Sequence, residues 1–285
     1  MKNILITGVN SYVGNSLGEW LKQYPEDYQT EKISLRDGTW KEKDFSMYDV
    51  VVHVAGIAHR KETKENAQLY YDVNRDLAYD VAQKSKTESV KQFIFLSSMS
   101  VYGLEEGVID GRTPLHPKSN YGKSKLEAEN LIQPLENKNF KVAIIRPPMI
   151  YGKDCKGNYQ RLAKIAKKVP VFPKIDNKRS MIYIDNLSEF IRLSIDEEMQ
   201  GMFLPQNEEY VCTSELVSMI AQVHNKKIHM TRVFNPLIKL LKVNTVNKVF
   251  GNLVYEKKLS DLSEHYNIKK FKNTVQATEK MESMH

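Results

Sequence analysis

Cysteine is scarce in this 285-residue chain, which has only Cys155 and Cys212. Two cysteines exclude a disulfide framework and a zinc-ligand cluster, and they suit ordinary thiols in a reducing compartment. Long apolar runs are missing too. The longest, residues 50–55 and 93–96, fall far short of the roughly 20 residues that cross a bilayer. The apolar centre before Gly8 is shorter than the ~7–15 residues of a secretory signal. A cytoplasmic protein without membrane insertion is expected. No internal repeat or low-complexity tract occurs, and 41% hydrophobic with 27% charged residues describes a folded globular chain. Acidic charge is in deficit. The formal net charge of +7 suits an anionic partner such as a phosphorylated cofactor or a nucleotide. Nucleic acid is not expected, because the lysines run no longer than pairs and lack interleaved aromatics.

The first 150 residues alternate short β-branched runs, at about 3–7, 32–35, 50–55, 92–97 and 141–146, with helical patterns over 12–24, 65–86 and 121–137. That is the form of a parallel α/β sheet built from βαβ units, a doubly wound Rossmann fold. After Tyr151-Gly152, prolines 170, 173 and 205 break the chain and lysine-rich helices follow, which predicts a smaller C-terminal α/β lobe. Residues 1–150 with about 178–200 are assigned to the dinucleotide-binding domain, and about 151–177 with 201–285 to the lobe. Residues 181–195 read as a strand and helix returning to the first domain. The stretch 233–255, with Leu237, Ile238, Leu240, Leu241, Val243 and Val246 among lysines, reads either as a membrane-surface helix or as a packed lobe helix. Pro236 and the interspersed Asn and Thr favour the second.

Directly after the first strand comes Thr7-Gly8-Val9-Asn10-Ser11-Tyr12-Val13-Gly14. Glycine is required where such a turn is tightest and where helix meets strand, while the helix N-terminus offers amide donors to a pyrophosphate. Gly8 and Gly14 fill those two places. Ser11 stands at the middle position, where the backbone approaches the ligand. The residue that reads the ribose follows about 20 residues later, and here it is Arg36. A guanidinium fork suits a 2′-phosphate, so the cofactor expected is NADPH/NADP+, with NAD(H) less favoured. The other reading leaves Arg36 solvated and gives the ribose to Asp37.

Strand 4 runs into Ser97-Ser98-Met99-Ser100-Val101-Tyr102-Gly103, and the next helix opens Ser119-Asn120-Tyr121-Gly122-Lys123-Ser124-Lys125. Tyr121 and Lys125 share a helix face. An ammonium beside the phenol would lower its pKa toward the range of a general acid or base, and a serine hydroxyl at the strand end can hold a substrate carbonyl against it.

With these motifs in order, joined by Val52-His53-Val54-Ala55-Gly56, Val73-Asn74 and Ile145-Arg146-Pro147-Pro148, the chain resembles the extended short-chain dehydrogenase/reductase family. That family includes nucleotide-sugar epimerases, dehydratases and reductases. The resemblance implies Tyr121 as catalytic acid/base, Lys125 as the residue that orients the ribose and tunes Tyr121, and Ser98 as the polarising hydroxyl. Ser100 would lie by the substrate. Gly8, Asn10, Ser11, Tyr12, Val13, Gly14, Arg36, Ala55, Gly56, Asn74, Pro147 and Pro148 would surround the cofactor with Tyr121 and Lys125. Asn158 and Arg179 match the family's nucleotide-diphosphate clamp; alternatively Arg179 only pairs with Asp185 or a neighbour. A homodimer through two-helix packing is common in the fold.

Met99-Ser100 stands where sugar 4,6-dehydratases carry an Asp-Glu pair, so dehydration is not expected. The run from Arg146 through Leu187, with Val249-Phe250-Gly251-Asn252-Leu253, is similar to bacterial enzymes that reduce a UDP-linked 4-keto-6-deoxy-N-acetylhexosamine. Three functions follow: that NADPH-dependent reductase, a UDP-hexose 4-epimerase retaining NAD+, or a non-catalytic dinucleotide sensor.

Overall fold

Alternation along five β-branched and aromatic runs decides which side chain meets which helix layer. In the computed structural model, which describes residues 1–58, 60–233, 235–236, 244–260 and 265–280, these runs form strands β1 (Lys2–Thr7), β2 (Tyr28–Ile33), β3 (Val50–His53), β4 (Gln92–Leu96) and β6 (Lys141–Ile145). A sixth strand, β10 (Gly201–Phe203), completes one parallel sheet in the order β2-β1-β3-β4-β6-β10. Ile4, Ile6, Val52, Ile94 and Ile145 face one core. Leu5, Val51, Phe93, Phe95 and Ile144 face the other. Such a sheet is covered on both sides, as parallel sheets require.

Helix α1 (Tyr12–Leu21) closes the first face with Val13, Gly14, Leu17, Gly18 and Leu21, beside α6 (Ile184–Asp196), which follows strand β9 (Met181–Tyr183). Cross-links fix the α6 position: Trp20 Nε1 donates to Glu189 at 2.8 Å, and Tyr28 donates to Asp196 at 2.6 Å. The second face is closed by α3 (Leu77–Thr87), through Ala78, Val81 and Ala82, and by α4 (Asn120–Ile132), through Ala128 and Ile132. Helix α2 (Ala67–Tyr71) leads into α3 through a π-helical turn, Asp72–Asp76.

The first core does not stop at the sheet. It continues through Tyr159 and Leu162 of α5 (Asn158–Ala166), Phe172 of β8 (Val171–Pro173), Leu216 and Ile220 of α7 (Thr213–Val223), and Phe271 and Val275 of α9 (Phe271–Glu279). Three short parallel pairs lie outside the main sheet. These are β7 (Met149–Tyr151) with β9, β8 with β11 (His229–Thr231), and β5 (Gly107–Ile109) with β12 (Leu253–Tyr255).

Several boundaries differ from the sequence pattern: α1 ends at Leu21 and β3 at His53, short of residues 24 and 55, and β2 begins at Tyr28, ahead of residue 32. Strand β2 ends at Ile33 and not at Leu35, because its register is set by pairing along Lys2–Thr7. Helix α4 ends at Ile132, where Pro134 turns the chain into a 3₁₀ segment, Gln133–Leu135. Of the stretch 233–255, Phe234 and residues 237–243 lie outside the described residues. Its later part forms α8 (Asn244–Phe250), which ends with the Phe250 ring 5.7 Å from that of Phe172. Among the described residues no helix is long and apolar enough to cross a membrane.

Candidate active site

The chain leaves β1 outward to β2 and returns on the other side as β3. Ligands of open α/β sheets bind at such a switch point, beyond the carboxyl ends of the strands. Gly8 and Ala55 meet there. Gly8 has φ +91°, and a Cβ on it would lie 3.1 Å from Ala55 Cα, so a side chain would be both strained and crowded. Gly14 lets α1 settle on the sheet, since its Cβ would press Val54 at 2.9 Å and Ile6 at 3.1 Å.

Ser11, at the middle position of the turn, is the N-cap of α1; its Oγ accepts from Gly14 N at 3.2 Å. A small residue whose side chain folds back onto the helix end leaves the approach clear. Among the described residues no acceptor faces the amides of Tyr12 and Val13. Asn10 is exposed, and the Tyr12 hydroxyl is buried without a partner among the described residues, beside Gly152. This tight turn with open amides at a helix start fits a dinucleotide pyrophosphate.

At the end of β2 the two candidate ribose readers differ. Asp37 accepts from Thr39 N at 3.2 Å and Thr39 Oγ1 at 2.8 Å, and these bonds hold its carboxyl below the usual range. Arg36 is exposed, and among the described residues its guanidinium meets no acceptor.

Tyr121 lies in the first turn of α4, capped by the Ser119 hydroxyl accepting from Gly122 N at 3.1 Å. Gly122 is needed because a Cβ there would meet Ser100 O at 2.6 Å, and this close approach brings the turn Met99–Tyr102 onto α4. Ser98 caps that turn, accepting from Ser100 N at 3.1 Å and donating to Ser100 Oγ at 3.2 Å. Its hydroxyl also lies close enough to the Tyr121 phenol to act on it. The neighbouring Ser97 points the other way and donates to buried Glu129. Pro147 and Pro148 are buried beside this turn, with Met99 N donating to Pro147 O at 3.0 Å.

Lys125 is buried, and its Nζ donates to Leu96 O at 2.8 Å and lies 4.6 Å from the centre of the Phe95 ring. Burial lowers it to about 8, against the opposing charge of Glu129. The tuning expected from the sequence takes a different form here. Burial raises the Tyr121 phenol and the Ser98 hydroxyl pulls it back, while the ammonium is spent on a backbone carbonyl. Gly56 leaves space for both Lys125 and Asn74; its Cβ would lie 3.5 Å from Nζ and 2.9 Å from Asn74 Oδ1. Asn74, fully buried on the π turn, accepts from Ile57 N at 2.7 Å and donates to Ile57 O at 3.1 Å and Ser124 Oγ at 3.2 Å. It ties the loop after β3 to α4.

Two contributors to the site are given no role by the sequence: Glu62 lies in no motif, and Arg146 stands in the Ile145-Arg146-Pro147-Pro148 run without an assigned function. Glu62 accepts from Asn120 N at 2.9 Å and Tyr121 N at 3.1 Å. Arg146 pairs with Glu129 beneath the strand ends, Nε to Oε1 at 3.0 Å and Nη2 to Oε2 at 2.5 Å, and donates to Tyr102 Oη at 3.0 Å.

The expected clamp residues lie apart from this centre. Among the described residues no hydrogen bond or ion pair joins Asn158 or Arg179 to Ser98 or Tyr121. Asn158 is exposed at the start of α5. Arg179 Nη1 donates to Gly251 O at 3.0 Å and Asn247 O at 3.4 Å, at the carboxyl end of α8. It does not pair with Asp185, which is held by Lys269 at 2.6 Å.

Residues 4–203 match the NAD dependent epimerase/dehydratase family. An N-acetyl-alpha-D-glucosaminyl-diphospho-ditrans,octacis-undecaprenol 4-epimerase of Escherichia coli O157:H7 is 31% identical, covering 82% of this chain and 76% of its own. A UDP-glucose 4-epimerase of Vibrio cholerae is 32% identical, covering 77% and 75%. In fold, the chain is similar to a dTDP-4-dehydrorhamnose reductase of Bacillus anthracis str. Ames solved with NADP, with TM-score 0.72, 19% identity and 98% of each chain covered.

Proposed function

Because the chain belongs to the NAD dependent epimerase/dehydratase family, we propose that it is an NADPH-dependent reductase. Its substrate would be the C4 ketone of a UDP-2-acetamido-2,6-dideoxy-hexos-4-ulose, and its product UDP-N-acetylquinovosamine or UDP-N-acetylfucosamine for bacterial polysaccharide. The contrast at the end of β2 carries this reading: the Arg36 guanidinium is open to a 2′-phosphate while Asp37 is tied to Thr39. Met99-Ser100 after Ser98 adds to it, since no carboxyl pair stands there to eliminate water, and the ketone must come from another enzyme.

A bound nicotinamide supplies the hydride that reaches C4. The rest falls to side chains. Ser98 holds the ketone oxygen by a hydrogen bond, and Tyr121 gives that oxygen its proton, so the carbonyl becomes a hydroxyl. Burial of the phenol keeps it protonated until it is needed, which suits an acid in the reductive direction. Lys125, a cation at neutral pH, faces the space above Gly56, where a ribose hydroxyl can lie. Asn158 and Arg179 would hold the UDP diphosphate.

A second reading, a UDP-hexose 4-epimerase that retains NAD+, draws on the two relatives named above, both 4-epimerases by name, of which the Vibrio cholerae protein is named for a UDP-sugar and the Escherichia coli O157:H7 protein for a polyprenol-linked one. There Tyr121 would take a proton and return it. A non-catalytic sensor has no use for Ser98, Tyr121 and Lys125 together. To separate these, the purified protein is denatured and the released nucleotide identified, and NADPH oxidation is then followed with the 4-keto sugar. Little released nucleotide and stoichiometric oxidation are expected. Released NAD+, with interconversion of UDP-GlcNAc and UDP-GalNAc in the absence of added cofactor, would establish the epimerase.

A further inference from the structure

The excess positive charge of this chain is local. Residues 155–175 and 216–255 each carry six lysines or arginines and no aspartate or glutamate, which leaves thirty basic against thirty-five acidic residues elsewhere. Along the sequence these cations look scattered. The fold gathers several of them at one end of the C-terminal elements.

Helix α5 buries Tyr159, Leu162, Ala163 and Ala166, so Lys164 and Ile165 lie on its outer face, Lys168 follows two residues past its end, and all three are exposed. The carboxyl ends of α5 and α7 meet at buried Glu279, which takes Lys167 at 3.4 Å and His224 at 2.6 Å. Strands β8 and β11 then run parallel, with His229 opposite Val171 and His229 N donating to Pro170 O at 2.8 Å. Exposed Lys226 and Lys227 thus lead into β11 as exposed Lys168 leads into β8, from the two helix ends that Glu279 joins. Between the four lysines sit two apolar side chains open to water, Ile165 at 39% and Val171 at 40% exposure. Glu279, which the two helix ends share, is already matched from within.

We propose that this face docks the protein on an anionic lipid surface. Lysines are compact point charges that follow a diffuse negative potential, whereas phosphate forks and base stacking call for arginine and aromatic residues. The face carries one arginine, Arg161, a turn before Lys164 and Ile165, and no exposed aromatic side chain among the described residues, and its exposed Ile165 and Val171 suit the headgroup boundary. A nucleic acid would leave those two side chains without a partner. The docking face shares no residue with the Ser98, Tyr121 and Lys125 centre, so a docked molecule keeps its catalytic centre intact.

Co-sedimentation of the full-length protein with vesicles tests this. Vesicles of phosphatidylcholine with about 30 mol% phosphatidylglycerol are expected to carry the protein down at low salt. Pure phosphatidylcholine should not, and about 0.5 M salt should release it. Lys164→Glu with Lys168→Glu, or Lys226→Glu with Lys227→Glu, should each weaken partitioning at least about tenfold. Turnover of a soluble nucleotide sugar should stay unchanged. No binding to the anionic vesicles, equal binding by the charge-reversed variants, or tighter binding to a fluorescent single-stranded RNA than to the vesicles would each overturn the proposal.

Discussion

Glu62 and Tyr121 are 59 residues apart in sequence, yet one carboxylate oxygen of Glu62 accepts from the Tyr121 backbone amide at 3.1 Å while the other takes Asn120 N at 2.9 Å. A carboxylate at a helix N-terminus satisfies amides the helix cannot and complements its dipole. The loop carrying Glu62 begins where Asn74 grips Ile57, so the helix of Tyr121 is braced from the loop that leaves β3 through Ala55-Gly56.

Removing this brace should misplace the phenol more than it unfolds the protein. Glu62→Ala is expected to lower turnover about 10- to 100-fold through misplacement and to leave NADPH affinity unchanged, while Glu62→Gln, which keeps one acceptor, recovers part of the loss. In a Tyr121→Phe background the same change should cost little more. Fully additive losses in that double-mutant cycle would reduce Glu62 to an ordinary cap.

Tyr121→Phe keeps the ring and removes the proton donor. Turnover should drop by about 10²–10⁴ with cofactor binding intact, as read by kinetics and by fluorescence titration of NADPH. Turnover within threefold of the parent would refute the acid assignment.

Lys125 gives a dependence of stability on pH. Its folded value of about 8 lies below the ordinary lysine value, so between the two the unfolded chain holds a proton that the folded chain lacks. Stability from this group therefore rises with pH in that window, and its cost is full below about 8. Relative to Lys125→Met, the cofactor-free parent should gain up to about 3 kcal/mol from about pH 7.5 to about pH 10 in denaturant titrations. Parallel slopes for the two proteins would contradict this.

The buried Glu129–Arg146 pair should behave as a linked unit. Glu129→Ala leaves a guanidinium uncompensated beneath the strand ends and should cost about 3–5 kcal/mol, read from the midpoint of urea unfolding. A loss under about 1 kcal/mol would mean that Arg146 finds water.

Much of this was legible from residues alone. The glycine turn, the buried strands and the Tyr121–Lys125 helix are local patterns, and local patterns survive folding. Strand β10 was not legible, because Gly201-Met202-Phe203 is too short to show a period and is a strand only because Ala143–Ile145 is there to pair with it. The π turn at Asn74, the Glu62 brace and the Glu129–Arg146 pair depend on partners 17 to 59 residues away. Lys125 shows the same lesson at the site: spacing placed it on the face of Tyr121, but the Leu96 carbonyl, which claims its ammonium, belongs to a strand that only the fold brings near.

The central claim is net reduction at C4. The purified protein is supplied with the UDP-linked 4-keto sugar and NADPH deuterated at the nicotinamide C4, on each face in turn, and the product is examined by NMR. One of the two labels is expected at sugar C4, one deuterium per NADPH consumed, in a product that keeps its 6-deoxy group. Deuterium-free product with no net NADPH oxidation would contradict it.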